Sequence, residues 1–114
     1  MVEIMNICEF DNELLRTGEH DDVYFYCPLL DDEWYAINAI DYQSNTLYLK
    51  NSCRCESYSI TCLRLLWEID KTNLNDDADV QFIIEEINGD VLYFPRISIP
   101  FKKKGNNVII EVNQ

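Results

Sequence analysis

The first half of this chain is almost devoid of basic residues. Residues 1–49 hold eleven Asp/Glu and a single base, Arg16, a net of −10, whereas residues 50–114 hold ten acids and eight bases, a net of −2. A field of that sign repels nucleic acid and anionic membranes and attracts basic surfaces, so direct binding to either polyanion is not expected. Glycine and proline are scarce as well, three of each in 114 residues, which argues against a linker-rich or disordered chain. No apolar run approaches the ~20 residues of a membrane-spanning helix. The opening Met1-Val2-Glu3-Ile4-Met5-Asn6 lacks the basic start and apolar core of a secretory signal, so a cytoplasmic protein is expected.

Histidine is nearly absent. His20 is the only one, and it lies in an acidic turn beside Asp21 and Asp22, a poor setting for the base of a nucleophilic triad. The glycine-bearing nucleophile, phosphate-loop, dinucleotide and zinc-protease motifs are missing. The acid pairs Asp21-Asp22, Asp31-Asp32 and Asp76-Asp77 fall in expected turns, where aspartate is favoured by its bonds to local backbone. The segment from Asn73 to Asp79 lacks the glycine and distal glutamate of a calcium loop. Five cysteines (Cys8, Cys27, Cys53, Cys55, Cys62) have neither a disulfide framework nor the spacing of zinc ligands, and read as free thiols. The expectation is a non-enzyme with no cofactor and no metal.

What is present is a globular pattern, 47 % hydrophobic, long enough for one domain with its own core. Asn6 and Glu9 form a capping box ahead of Ile7, Phe10 and Leu14 at helical spacing, and Gly18 is suited to a left-handed helix end. Strands are expected at Val23–Cys27, from Trp34 to Asp41, and from Thr46 to Leu49, the last after a turn at Gln43-Ser44-Asn45. Residues 51–57 read as a polar connector. A second helix is expected from Ser59 through Leu63, Leu66, Trp67 and Ile69, then strands at Asp79–Glu85, Val91–Phe94 and Val108–Val112. Asn88-Gly89 is the strongest hairpin signal, fit for a type I′ turn, and Pro95 suggests an edge or a bulge.

The two halves resemble each other. Val23, Phe25, Trp34, Ile37 and Ile40 lie 57 residues before Val80, Phe82, Val91, Phe94 and Ile97, and Leu47 and Leu49 match Val108 and Ile110 at 61. Shared strand composition is the other explanation for this match. The expected fold is α+β: a single domain of two αβββ units, about 5–50 and 58–114, whose strands form one mainly antiparallel sheet or two abutting sheets, with each helix on a sheet face.

Trp34 and Trp67 are read as core, whereas Tyr24 and Tyr26 alternate with Val23 and Phe25 and point away from the helices, either under a second layer or in an exposed patch that a partner buries. Aromatic rings among carboxylates suit a basic protein partner, the charge steering and the rings supplying contact area. The candidate partner-binding residues are Glu19, Asp21, Asp22, Tyr24, Tyr26, Asp31, Asp32 and Glu33. The lysine run Lys102-Lys103-Lys104 reads as a solubilised loop ending at Gly105-Asn106-Asn107. In size, acidity and want of an active site the chain resembles, as a class, anti-CRISPR and DNA-mimic anti-restriction proteins of phages, and nuclease-immunity proteins. That resemblance implies an inhibitor that occupies a basic, nucleic-acid-handling surface. The competing expectation is a non-enzymatic structural protein, homodimeric through its tyrosine-bearing sheet face or an edge strand. A small-molecule binder with a ligand between the half-units ranks last.

Overall fold

The computed structural model describes residues 2–18, 20–53, 58–71, 75 and 77–114. In chain order its elements are β1 (Val2–Glu3), α1 (Ile7–Thr17), β2 (Asp22–Tyr26), β3 (Tyr35–Ala36), β4 (Ala39–Gln43), β5 (Thr46–Ser52), α2 (Cys62–Lys71), β6 (Asp79–Glu85), β7 (Val91–Phe94), β8 (Arg96–Ser98), β9 (Lys102–Lys104) and β10 (Asn107–Asn113). The fold is α+β with two sheets, which are mixed and not mainly antiparallel as expected. One sheet runs β1-β8-β10-β2-β3 with β9 alongside β10, and the other runs β4-β5-β6-β7.

Short connections do give antiparallel neighbours, as in β4–β5 and β6–β7. The parallel pairs join strands from different halves: β10 beside β2, with Val108 opposite Val23, and β5 beside β6, with Leu47 opposite Val80. Strands so far apart in sequence have no hairpin to dictate an antiparallel direction.

The expected strand from Trp34 to Asp41 is broken at Ile37-Asn38, where the chain leaves the first sheet as β3 and enters the second as β4. Pro95 stands at the reverse crossing, between β7 and β8. The two inner faces meet in one core, centred on the Phe25 and Phe82 rings, 4.7 Å apart. If each bent segment keeps its heading, β2 and β6 point the same way, because β3 is antiparallel to β2, β4 to β5, and β5 is parallel to β6.

Helix α1 carries the expected capping box and buries Ile7, Phe10 and Leu14. Its first N–H reaches the Ala78 carbonyl at 2.9 Å, and that of Cys62 in α2 reaches the Asp21 carbonyl at 2.8 Å, so each helix starts beside a strand of the opposite half. Gly18 does not take the expected left-handed turn. Its backbone is extended, φ −170°, and glycine serves close approach instead: a Cβ there would lie 2.7 Å from Asp21 Oδ2 and 3.1 Å from Val108 Cγ2.

Helix α2 also departs from expectation. It begins at Cys62 behind Thr61, whose hydroxyl accepts from the Arg64 N–H at 3.2 Å, and it buries Cys62, Leu65 and Ile69. Leu63 and Trp67 are about half exposed, which corrects the core reading of Trp67. The tether to Asp21 sets the helix phase, and Trp67 is instead flanked on the surface by Arg64 and Lys71, each 4.7 Å from its ring. Arginine and lysine over an indole face are held by its quadrupole.

Two turns also exchange roles. The two-residue hairpin is Ser44-Asn45, with φ 52° and 59°, the left-handed pair of a type I′ turn. At Asn88-Gly89 only Gly89 is left-handed, φ 93°. Gly89 N–H reaches the Glu86 carbonyl and Glu86 N–H the Asp90 carbonyl, a longer turn closed by a glycine bulge. Strand β5 extends through Asn51 and Ser52, the first two residues of the expected connector. Residues 54–57 of that connector lie outside the described residues, as do Asn73 and Asp76 of the loop before β6.

Candidate partner-binding surface

Of the described candidates, Asp22, Tyr24 and Tyr26 share one face of β2, and the Asp31–Glu33 group lies beyond its end. Glu19 lies outside the described residues. Asp21 and Asp22 stand at the start of β2, Tyr24 and Tyr26 along it, and Asp31, Asp32 and Glu33 beyond its end. The strand itself separates the two acidic groups by roughly 13 Å, at about 3.3 Å per residue.

The lysine run, expected as a loop, forms β9 beside β10, which in turn neighbours β2. The cations therefore come to the acidic half. Lys103 Nζ lies 3.1 Å from Asp21 Oδ2, and Lys104 lies over the Trp34 ring at 5.8 Å. Tyr26 donates its hydroxyl to Glu111 Oε1 at 2.9 Å and accepts from Lys102 at 3.4 Å, while Ser98 donates to the other Glu111 oxygen. Tyr24 packs on Trp34, ring centroids 6.0 Å apart. Both tyrosines are half-buried. Between them in the ladder Ile109 is 2 % exposed, with Tyr24 and Lys102 as register partners. Long neighbouring side chains thus shield Ile109 on this outer face.

Trp34 was read as core and is 42 % exposed. It precedes the two-residue edge strand β3 and packs on Tyr24 beneath Lys104. The opposite sheet is built alike: Ile83 is nearly buried with Lys50 and Tyr93 in register. Lys50 lies 3.1 Å from Glu85 and 3.5 Å from Asp41. Burial works against its charge, but the Glu85 hydrogen bond and the two carboxylates prevail and raise its pKa.

The loop after β2 is different. In Cys27-Pro28-Leu29-Leu30-Asp31-Asp32-Glu33-Trp34 the N–H groups of Leu30 and Asp31 both reach the Cys27 carbonyl, at 3.0 and 3.2 Å. Asp31 then fixes the rest, accepting from the Glu33 N–H at 3.0 Å and from the Tyr35 hydroxyl at 2.5 Å. Burial, then the Asp31 bond and the charges of Asp31, Glu33 and Glu86, push the Tyr35 phenol above its ordinary 10.0. This internally tied loop nonetheless leaves Leu29 88 % exposed, with Asp32 and Glu33 exposed beside it.

Glu86 belongs to the β6–β7 turn, and its charge acts on Tyr35, which puts this turn within electrostatic reach of the loop after β2. The turn carries Ile87 at 90 % exposure, and Asp90 is tied to Asn88 by two bonds, from its own N–H at 2.9 Å and from the Asn88 amide at 3.0 Å. Residues 28–34 and 86–91 contain no base. Sequence reasoning marked Asp31, Asp32 and Glu33 but missed Leu29, Leu30, Glu86, Ile87 and Asp90. Two leucines directly before three acids in a turn were the available signal for the first pair. Nothing local pointed to the second loop as a neighbour.

Cys27 and Cys62 are buried, Cys8 and Cys53 exposed, and Cys55 lies outside the described residues. Burial, then the Asp21 charge, pushes the Cys62 thiol up to about 12, so it stays protonated and unreactive at neutral pH. Among the described residues no three His, Cys, Asp or Glu side chains converge as metal ligands would, and no helix is long and apolar enough to cross a membrane. Comparison of the chain with protein-family models, with curated proteins and with solved structures returns no match.

Proposed function

We propose that this chain is a non-enzymatic acidic binding module that blocks a macromolecular partner by occupying a basic, nucleic-acid-handling surface. The carrying observation is the pair of acidic loops. Leu29, Leu30 and Ile87 are exposed on braced loops whose sequences also carry Asp32, Glu33, Glu86 and Asp90. Exposed aliphatic side chains on a braced backbone cost little further ordering on docking, and the carboxylates steer a cationic counterpart. This is the mode of a plug. A duplex mimic would need acids spaced along a face like phosphates, whereas here lysines of β9 intervene between the acidic groups. Within the class of phage inhibitors and immunity proteins, the arrangement favours docking of the immunity kind. The homodimer reading loses support because Tyr24 and Tyr26 already have partners within the chain.

The test uses the protein as bait in cell extract, then follows the captured protein in purified form. Capture should weaken about tenfold or more for Leu29→Asp with Ile87→Asp, and for Asp32→Lys with Glu33→Lys. The captured partner should release nucleic acid on binding, and affinity should fall between about 0.05 and 0.5 M salt. Binding indifferent to both salt and charge reversal would exclude this mode.

The halves also read as two αβββ units that exchange their first strands. At the 57- and 61-residue separations, the pair Val23–Val108 corresponds to Val80–Leu47, and Phe25–Ile110 to Phe82–Leu49. The bridge of Asn6 to Asp79 corresponds to that of Thr61 to Asp22, and the bond from Val80 N–H to the Met5 carbonyl to that from Val23 N–H to the Ile60 carbonyl. On this reading neither half expressed alone folds, since each first strand has its parallel neighbour in the other half. A folded, monomeric half in solution would argue against it.

A further inference from the structure

The β6–β7 turn holds the one asparagine of the chain that is followed by glycine, Asn88-Gly89. Residues 86–90 are all exposed, and a Cβ on Gly89 would meet nothing within 4 Å. The Asn88 carboxamide is folded over the next peptide. Its oxygen accepts from the Asp90 N–H at 2.9 Å, and its nitrogen donates to Asp90 Oδ2 at 3.0 Å. The first of these bonds closes a side-chain turn of the kind asparagine favours. The Asn88 carboxamide carbon and the Gly89 nitrogen are both members of the ring so closed.

We propose that Asn88-Gly89 is a self-modification site, at which deamidation unties the turn. The Gly89 nitrogen attacks Asn88 Cγ. A nitrogen–carbon bond forms, the Cγ–Nδ2 bond breaks, and ammonia leaves with the Gly89 amide proton. The product is a five-membered succinimide, which solvent water opens at either carbonyl to give aspartate or isoaspartate. Nothing is oxidised or reduced. Holding the nitrogen and the carbonyl carbon in one small ring replaces an encounter by an intramolecular step. The Asp90 N–H supports the carboxamide oxygen as charge develops on it. Glycine brings no side chain against the carbonyl carbon and turns freely about its own backbone. The Gly89 N–H, held by the Glu86 carbonyl at 3.0 Å, must first let go, and bonds in exposed turns open at low cost.

The reaction reverses the sense of the tie to Asp90. Where an amide nitrogen donates to Asp90 Oδ2, the product sets a carboxylate beside a carboxylate, and like charges at that distance repel. In the isoaspartate form the main chain also runs through the former Cβ, which lengthens the turn. Ile87, 90 % exposed and next to Asn88, then stands on a looser loop. On the reading of this turn as part of the docking surface, conversion weakens capture of a basic partner, because more backbone must be ordered on binding. That consequence rests on the proposed function. The chemistry at Asn88 does not.

The test incubates the purified full chain in mildly alkaline buffer and maps its peptides by mass spectrometry, with enzymatic methylation to detect isoaspartate. Aspartate and isoaspartate should accumulate at residue 88 ahead of every other asparagine. Asn88→Gln, which would need a larger ring, should stay unconverted, and Gly89→Ala should slow conversion by about tenfold or more. Hydrogen exchange at the Gly89 and Asp90 amides should speed up by about tenfold on conversion while the core strands keep their protection. The isolated isoaspartate form should bind the purified captured partner about threefold more weakly. A native chain that stays intact at Asn88 while the urea-unfolded chain converts would overturn the site, as would conversion first at another asparagine. Unchanged exchange at Asp90 after conversion would overturn the untying, and equal capture by both forms its consequence for binding. Indifference of capture to charge reversal at Asp32 and Glu33 sinks the docking reading alone, and the peptide map still decides the chemistry.

Discussion

Asp31 and Tyr35 together hold the candidate surface in shape. The Tyr35 hydroxyl donates to a carboxylate that also accepts a backbone N–H, a charge-assisted contact. Tyr35→Phe should cost about 1.5 kcal/mol at neutral pH, measurable by urea denaturation. The sign of its pH dependence follows from the raised phenol pKa. Below pH 10 both folded and unfolded states keep the proton and the contribution is complete. As pH rises past 10 the unfolded state ionises first, so stability is lost. The gap between wild type and Tyr35→Phe should therefore narrow above pH 10, and a constant gap would disprove the coupling.

Gly18 makes a second prediction at this scale. Its extended φ suits any residue, so backbone strain is not the issue. The hydrogen in place of a methyl lets α1 end against Val108, fully buried, and Asp21, whose carboxylate is held by Lys103. Gly18→Ala should destabilise by about 1–2 kcal/mol through overpacking, and a neutral result would mean the two neighbours yield freely. The composition made Gly18 conspicuous as a helix end. Only the contacts revealed which property of glycine is used.

Among the elements, α2 separates what periodicity conveys from what it does not. Apolar residues at 62, 63, 65, 66, 67 and 69 allow more than one buried face, so helicity was legible and phase was not. The cap at Thr61 and the bond from Cys62 to Asp21 choose Cys62, Leu65 and Ile69. Leu65→Ala should therefore cost about 3 kcal/mol, as for buried leucines generally. Leu63→Ala should remain within about 0.5 kcal/mol of wild type. Equal costs in thermal or urea melts would restore the face that the spacing alone suggested. The strands were legible for a related reason: β-branched and aromatic runs bounded by turn residues identify strands, but not the neighbours beside which they lie.

For the whole molecule, stability is focused where the sheets meet. Phe25 and Phe82 are both fully buried and their rings touch across the core. Each should cost about 3–5 kcal/mol as the alanine variant. Because they share one contact, the double variant should cost less than the sum by about 0.5 kcal/mol or more, and strict additivity would argue against direct packing. The charge is a whole-molecule quantity too. At −12 the folded chain repels itself, so moderate salt should raise the melting temperature while it weakens capture of a basic partner. Parallel changes of both would leave the acidic surface without a steering role.

Residue types and their near neighbours determined the charge, the turns, the capping box and the existence of the strands, because these depend on interactions within a few residues. The parallel pairs, the buried face of α2, the arrival of Lys102–Lys104 beside Asp21 and the nearness of the two acidic loops were decided only by the tertiary structure. Each depends on which distant surfaces pack together, and the free energy of that packing belongs to no local stretch of chain.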